Sequence, residues 1–173
     1  MKLILTRHGE TEENKRDIIA GWKPGVLSAK GKKQAKQLAE KLRSITIDYI
    51  LSSDLKRCKD AVAVINKYHH APVRYLKSLR ELGSGVFDGK PGADIQKALR
   101  NYKGDREACK PKGGESMIAF RRRVLAFRKS LSRQRTRYAG KTILICTHST
   151  WIRTFLELKT PKLGATYLDK QKL

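Results

Sequence analysis

The chain has 173 residues, with 39 Lys and Arg against 16 Asp and Glu, a formal net charge of +23, and three cysteines. That length suits one domain with a real hydrophobic core, and the charge favours anionic partners of some kind. No apolar stretch approaches the length of a membrane span, and Arg7 comes too early for a signal peptide's apolar region, so a cytoplasmic protein is expected. Cys58, Cys109 and Cys146 are far apart, odd in number and without a C-x-x-C pair, which points away from a disulfide framework or a zinc site.

Lys2-Leu3-Ile4-Leu5 predicts a brief buried strand with Arg7 and His8 at its tip, where Gly9 lets the backbone turn and approach a ligand. Ser28 then caps a helix with Ala35, Leu38, Ala39 and Leu42 on one face, and Tyr49-Ile50-Leu51 is a second strand. Ser53 or Asp54 is expected to cap the next helix, in which Leu55, Cys58, Val62 and Ile65 recur at helical spacing, before a third strand at Val73 to Leu76. His69 and His70, at that helix's end, read as surface residues without a role.

Residues 81–115 are loop-rich around one short helix, Asp94 to Tyr102, with Ile95, Ala98, Leu99 and Tyr102 on one face. Ser116 opens the longest helix, where Met117, Phe120, Val124, Phe127 and Leu131 form a core-facing stripe and the other faces are basic. Thr142 to Thr147 is the clearest buried strand, and His148 follows it. Trp151 to Leu158 reads as a final helix, Ala165 to Leu168 as a short strand, and Lys170-Gln171-Lys172 as a frayed end.

Alternation of strands and helices predicts an α/β fold with a mainly parallel sheet. In such sheets ligands bind beyond the carboxyl ends of the strands. Arg7, His8, Ser52 to Arg57, Glu81 and His148 all follow strands, so residues distant in sequence can line one pocket. An arginine fork beside an imidazole suits an anionic substrate: the first can bind phosphate oxygens bidentately, and the second, when neutral, is a competent nucleophile toward phosphorus.

Six stretches carry a resemblance in order along nearly the whole chain. They are Thr6-Arg7-His8-Gly9-Glu10-Thr11, Leu27-Ser28 through Gly31 with Gln34-Ala35, Ser52-Ser53-Asp54-Leu55-Lys56-Arg57, Arg80-Glu81-Leu82, Gly113-Gly114-Glu115-Ser116 and Thr147-His148. Together they resemble the histidine phosphatase superfamily, the phosphoglycerate mutase-like group. The resemblance implies a three-layer α/β sandwich spanning residues 1–173 as one domain, with a short lid-like insertion at about 83–115.

It also implies that His8 attacks the phosphorus of a phosphomonoester and that water then hydrolyses the phosphohistidine. Arg7 and Arg57 would hold the phosphoryl group, His148 would add a donor from the opposite side, and Glu81 would serve as acid and then base. Asn14 matches a position near the phosphate, and Ser149 supplies a backbone donor there. No metal or cofactor is required, because arginines take its place.

Several positions depart from that pattern. Ile18 and Ala20 replace an arginine and a glutamine that often contact substrate, and Asp88 stands where glutamate is common. Ser149 and Thr150 follow His148 in place of glycines, which predicts a tighter or reshaped turn. The compact chain favours a phosphatase acting on a small phosphorylated metabolite over mutase-type transfer. Another class remains open: Arg121-Arg122-Arg123 with Arg128, Lys129, Arg133, Arg135 and Arg137 could grip nucleic acid or another polyanion, although aromatic residues are not interleaved as stacking platforms. A third reading is a catalytically weak member kept as an interaction module, against which the Arg7, His8, Arg57, Glu81 and His148 set argues.

Overall fold

Alternation along the central strands sorts their side chains onto two faces. Leu3, Leu5, Ile143 and Ile145 join one buried cluster, while Ile4, Leu144 and Cys146 join another. In the computed structural model, which describes residues 1–158 and 165–168, these strands belong to one parallel sheet ordered β3-β2-β4-β1-β5. The strands are β1 (Lys2–Arg7), β2 (Tyr49–Ser53), β3 (Val73–Leu76), β4 (Thr142–Thr147) and β5 (Ala165–Leu168). Helices α2 (Ala29–Leu42) and α3 (Lys56–Ile65) cover one face, and α5 (Met117–Arg133) and α6 (Ser149–Glu157) cover the other. This is the expected three-layer sandwich. The expected frayed end at Lys170-Gln171-Lys172 lies outside the described residues.

The helical stripes form as their spacing predicts: Ala35, Leu38, Ala39 and Leu42 of α2 are buried, and so are Phe120, Val124, Phe127 and Leu131 of α5. Ser28 and Ser116 cap these helices, accepting from Gly31 N at 3.0 Å and Ala119 N at 3.1 Å. One cap differs. The N-cap of α3 is Leu55, without a side-chain cap bond, because the two expected capping groups are engaged elsewhere. Ser53 Oγ lies 2.9 Å from His148 Nε2, and Asp54 forms a two-pronged pair with Arg80, both contacts at 2.6 Å.

Three further boundaries depart from periodicity. A four-residue helix α1 (Glu12–Lys15) follows β1, closed by a reciprocal cap between Thr11 and Asn14. Helix α6 begins at Ser149, two residues earlier than its apolar pattern suggests, because the Thr150 N–H finds an acceptor in Glu81 at 3.2 Å. Helix α4 spans Gly92–Asn101 and buries none of its residues. Ala98 and Tyr102, expected on its inner face, are exposed, which leaves Ile95 and Leu99 half-buried.

Gly9 has no positive φ; what it permits is close approach. A Cβ there would lie 2.3 Å from Gly31 O, and a Cβ on Gly31 would lie 1.9 Å from Glu10 O. Glu10 O is itself fixed, accepting from Ser28 N at 3.0 Å. Alanine is worth about 1 kcal/mol over glycine inside a helix, yet backbone overlap of this kind costs about 1–3 kcal/mol or more. Gly31→Ala is therefore expected to lower the urea midpoint, with a net loss of about 1–2 kcal/mol. A raised midpoint would show that the loop after β1 yields freely.

Candidate active site

Arg7 pairs with Thr147 in the β1–β4 register, so His8 and His148 are the first residues beyond two adjacent strand ends. Their rings meet edge-on with centroids 5.0 Å apart. The sheet order places this pair at its centre, where the chain reverses direction across the sheet and crevices open.

Hydrogen bonds fix the state of each imidazole. His8 Nδ1 lies 2.6 Å from Gly9 O; a carbonyl only accepts, so Nδ1 carries the proton and Nε2 keeps its lone pair. That lone pair accepts from Arg57 Nε at 3.2 Å. For His148, Arg57 Nη2 lies 3.2 Å from Nδ1, and a guanidinium only donates. The proton of His148 therefore sits on Nε2, facing Ser53 Oγ. Burial holds the His148 pKa well below the usual histidine value, and the neighbouring positive charge of Arg57 adds to the effect.

Arg57 is 1% exposed, and each of its five N–H groups has an acceptor. Besides the two imidazoles, Nη1 donates to Lys23 O at 2.7 Å and Pro24 O at 3.4 Å, and Nη2 donates to Gly21 O at 2.8 Å. Arg7 differs: its buried Nε has no protein partner. Cys58 Sγ lies 3.6 Å from His148 Nε2, but burial pushes its thiol up and keeps it protonated.

Glu81 is positioned from three directions. Its Oε2 accepts from Thr150 N at 3.2 Å and lies 3.5 Å from Ser149 Oγ, while Oε1 accepts from Leu82 N at 3.0 Å. Its backbone carbonyl accepts from Trp22 Nε1 at 2.8 Å and from Arg123 Nη2 at 3.1 Å. Arg123 is held by Glu115 through contacts of 2.9 and 2.7 Å. Asp88 accepts from Trp22 N at 3.0 Å and Ser84 N at 3.1 Å, and lies so close to Gly21 that a Cβ there would overlap it. Its carboxyl is pushed up by burial. The shorter side chain thus joins the loop before Trp22 to the turn at Ser84.

Arg7, His8, Asn14, Arg57, Glu81 and Ser149 all line one cavity of about 360 Å³. Asn14 uses its Oδ1 to accept from Thr11 N at 3.2 Å, so what it offers a ligand is its NH₂ group. His148, expected to face the phosphate, is fully buried behind His8 and is not among the lining residues. Its two ring nitrogens are already engaged within the protein. Among the described residues no three His, Cys, Asp or Glu side chains converge as metal ligands, and no helix is long and apolar enough to cross a membrane.

Sequence reasoning missed the Arg123–Glu115 clamp and the Trp22 and Asp88 contacts. Glu115 belongs to the Gly113-Gly114-Glu115-Ser116 stretch, but nothing local shows that its partner stands eight residues on. The basic face of α5 is also smaller than its composition implies. Arg128 is buried, lies over Phe155 and donates to Leu158 O at 3.0 Å at the end of α6, Arg123 faces the site, and Arg121 pairs with Glu107 at 2.6 Å.

Comparison with known proteins agrees with this geometry. The chain is 36% identical over 102 residues to a broad-specificity phosphatase of Saccharomyces cerevisiae, covering 56% of this chain but only 44% of that protein. It is 32% identical over 136 residues to the adenosylcobalamin/alpha-ribazole phosphatase of Escherichia coli, covering 76% and 67% respectively. The crystal structure of a phosphoglycerate mutase from Bacillus anthracis superposes with a TM-score of 0.80 at 25% identity, over 90% of this chain and 78% of that one. A sequence model of the histidine phosphatase superfamily (branch 1) matches residues 3–167, and the chain belongs to that family.

Proposed function

We propose that the chain is a phosphatase that hydrolyses small phosphomonoesters through a phosphohistidine on His8. The observation that carries this reading is the tautomer of His8: with Nδ1–H held by Gly9 O, a lone pair on Nε2 stands in a cavity that also contains two arginines and the carboxyl group of Glu81, which enters the cycle in its acid form. A phosphate dianion entering there takes its first contacts from Arg7, whose buried Nε has no partner within the protein. The Nε–H of Arg57, which donates to the His8 lone pair in the free protein, turns its hydrogen bond to a phosphoryl oxygen, keeping its proton and releasing that lone pair for attack.

The Nε2 lone pair then attacks phosphorus and the P–O ester bond breaks, with Glu81 giving its proton to the leaving oxygen. In the second step water attacks the phosphoryl group, Glu81 takes the water's proton, and the P–N bond breaks to give inorganic phosphate and neutral His8. Asn14 and Ser149 add donors to the phosphoryl oxygens. His148 acts indirectly: neutral, it accepts from Arg57 and keeps that guanidinium aimed at His8. Residues 1–173 work as one catalytic domain with 83–115 as a cover over the cavity, and three cysteines without a disulfide among the described residues suit a reducing cytoplasm.

The likeness to a phosphoglycerate mutase supports one alternative, in which the phosphoryl group returns to a substrate oxygen instead of passing to water. Quenching with denaturant during turnover distinguishes them. A hydrolase shows an acid-labile, base-stable adduct on His8 that decays to inorganic phosphate in buffer, and His8→Ala shows neither adduct nor turnover. An adduct that waits for an acceptor alcohol favours the mutase.

Glu81→Gln is expected to slow hydrolysis of alkyl phosphates by roughly 10²-fold to 10⁴-fold while aryl esters with good leaving groups lose less. Equal losses on both would remove Glu81 from the acid role. Stability should also track His148. Its folded pKa is depressed, so the unfolded chain binds the extra proton: stability is complete above about pH 6.5 and falls as pH drops below it, by up to about 1.4 kcal/mol per pH unit. Urea unfolding between pH 7 and 5 measures this slope, and His148→Gln should flatten it. An unchanged slope in the variant would mean that another group takes up the proton.

A further inference from the structure

The cavity is chemically divided. Its polar lining comes from the strand ends, α1, α3, α6 and Ser84, whereas Ile18, Ile19, Ala20, Leu82, Ile95 and Leu99 line it with hydrocarbon. Two of these come from α4, a helix that buries no residue against the body of the protein. Ile95 and Leu99, one turn apart, are its half-buried long apolar side chains, and both face this cavity. Ordinarily an amphipathic helix stripe packs on a core; this one packs on the space where a ligand would sit.

The opposite part of the wall is fixed to the same helix. Ile18 forms an antiparallel bridge with Pro91, Gly89 N donates to Ile19 O at 2.7 Å, and Gly92 N donates to Asp17 O at 2.9 Å. Backbone hydrogen bonds thus join residues 17–19 to the segment that leads into α4. The lining side chains of Ile18, Ile19, Ala20, Ile95 and Leu99 offer neither a donor nor an acceptor to whatever lies between them. A leaving group rich in hydroxyls would give up its bonds to water there without replacement, whereas a hydrocarbon leaving group would bury apolar surface.

We propose that the substrates are phosphomonoesters of apolar alcohols, alkyl or aryl, rather than of sugars or hydroxy acids. The proposal rests on the phosphatase reading for its chemistry, but its binding half can be tested alone. Calorimetric titration with n-alkylphosphonates, which are not hydrolysed, should show affinity rising about threefold to fourfold per methylene from ethyl to pentyl. Propylphosphonate should bind more tightly than 2,3-dihydroxypropylphosphonate. Ile95→Gln combined with Leu99→Gln, on a helix that supports no core, should flatten the series.

A flat series in the wild type, or tighter binding of the dihydroxypropyl compound, would overturn the proposal, as would failure to bind any of these phosphonates. Phosphate release from methyl and phenyl phosphate, measured in parallel, separates the two readings. A steep binding series without phosphate release sinks the catalytic assignment and leaves the apolar pocket standing. Release with a flat series does the reverse.

Discussion

A buried guanidinium is the constraint from which the rest of the site follows. Arg57 is 1% exposed, and moving such a cation out of water costs several kcal/mol unless its donors are met. They are met by three backbone carbonyls, from Gly21, Lys23 and Pro24, and by two imidazoles. That arrangement works only if both histidines are neutral and both turn a lone pair toward the arginine. One side chain therefore sets two protonation states, two tautomers and the path of the loop at residues 21–24. Through that loop it also places Trp22, whose indole N–H reaches the backbone of Glu81.

Much of the fold was legible because its signals are local. The two-residue alternation of β1 and β4 and the three-to-four spacing of α2 and α5 each lie within one element, and the structure reproduces them with caps at Ser28 and Ser116. The convergence of Arg7, His8, Arg57, Glu81 and His148 was legible for a different reason. All follow strands, and a parallel sheet brings strand ends together whatever their separation in sequence.

What could not be read depends on side chains whose partners are remote. Ser53 and Asp54 look like caps for α3 and are instead engaged with His148 and Arg80. The start of α6 is stabilised by a carboxylate 69 positions away in sequence. The motif histidine His148 is buried with both ring nitrogens engaged by Arg57 and Ser53, because a motif states which residues gather but not which of them bond to one another. The basic stripe of α5 misleads in the same way: Arg123 and Arg128 are counted with the surface until their acceptors, the carbonyls around Glu81 and at the end of α6, are known.

Charge and hydrocarbon then divide the work of recognition. A net charge of +23 raises the rate at which any anion meets the protein, but beyond about 8 Å at physiological ionic strength exposed charges are screened and cannot tell one phosphate ester from another. In the proposed reaction Arg7 and Arg57 hold the phosphoryl group that all such esters share. Discrimination must come from groups that touch what differs, the leaving alcohol, and the side chains available for that are those of residues 18–20, Leu82 and α4. Of these, α4 buries no residue, whereas Leu82 also packs against the core cluster beneath α5 and α6, so the apolar wall is anchored at one point and otherwise lies outside the core.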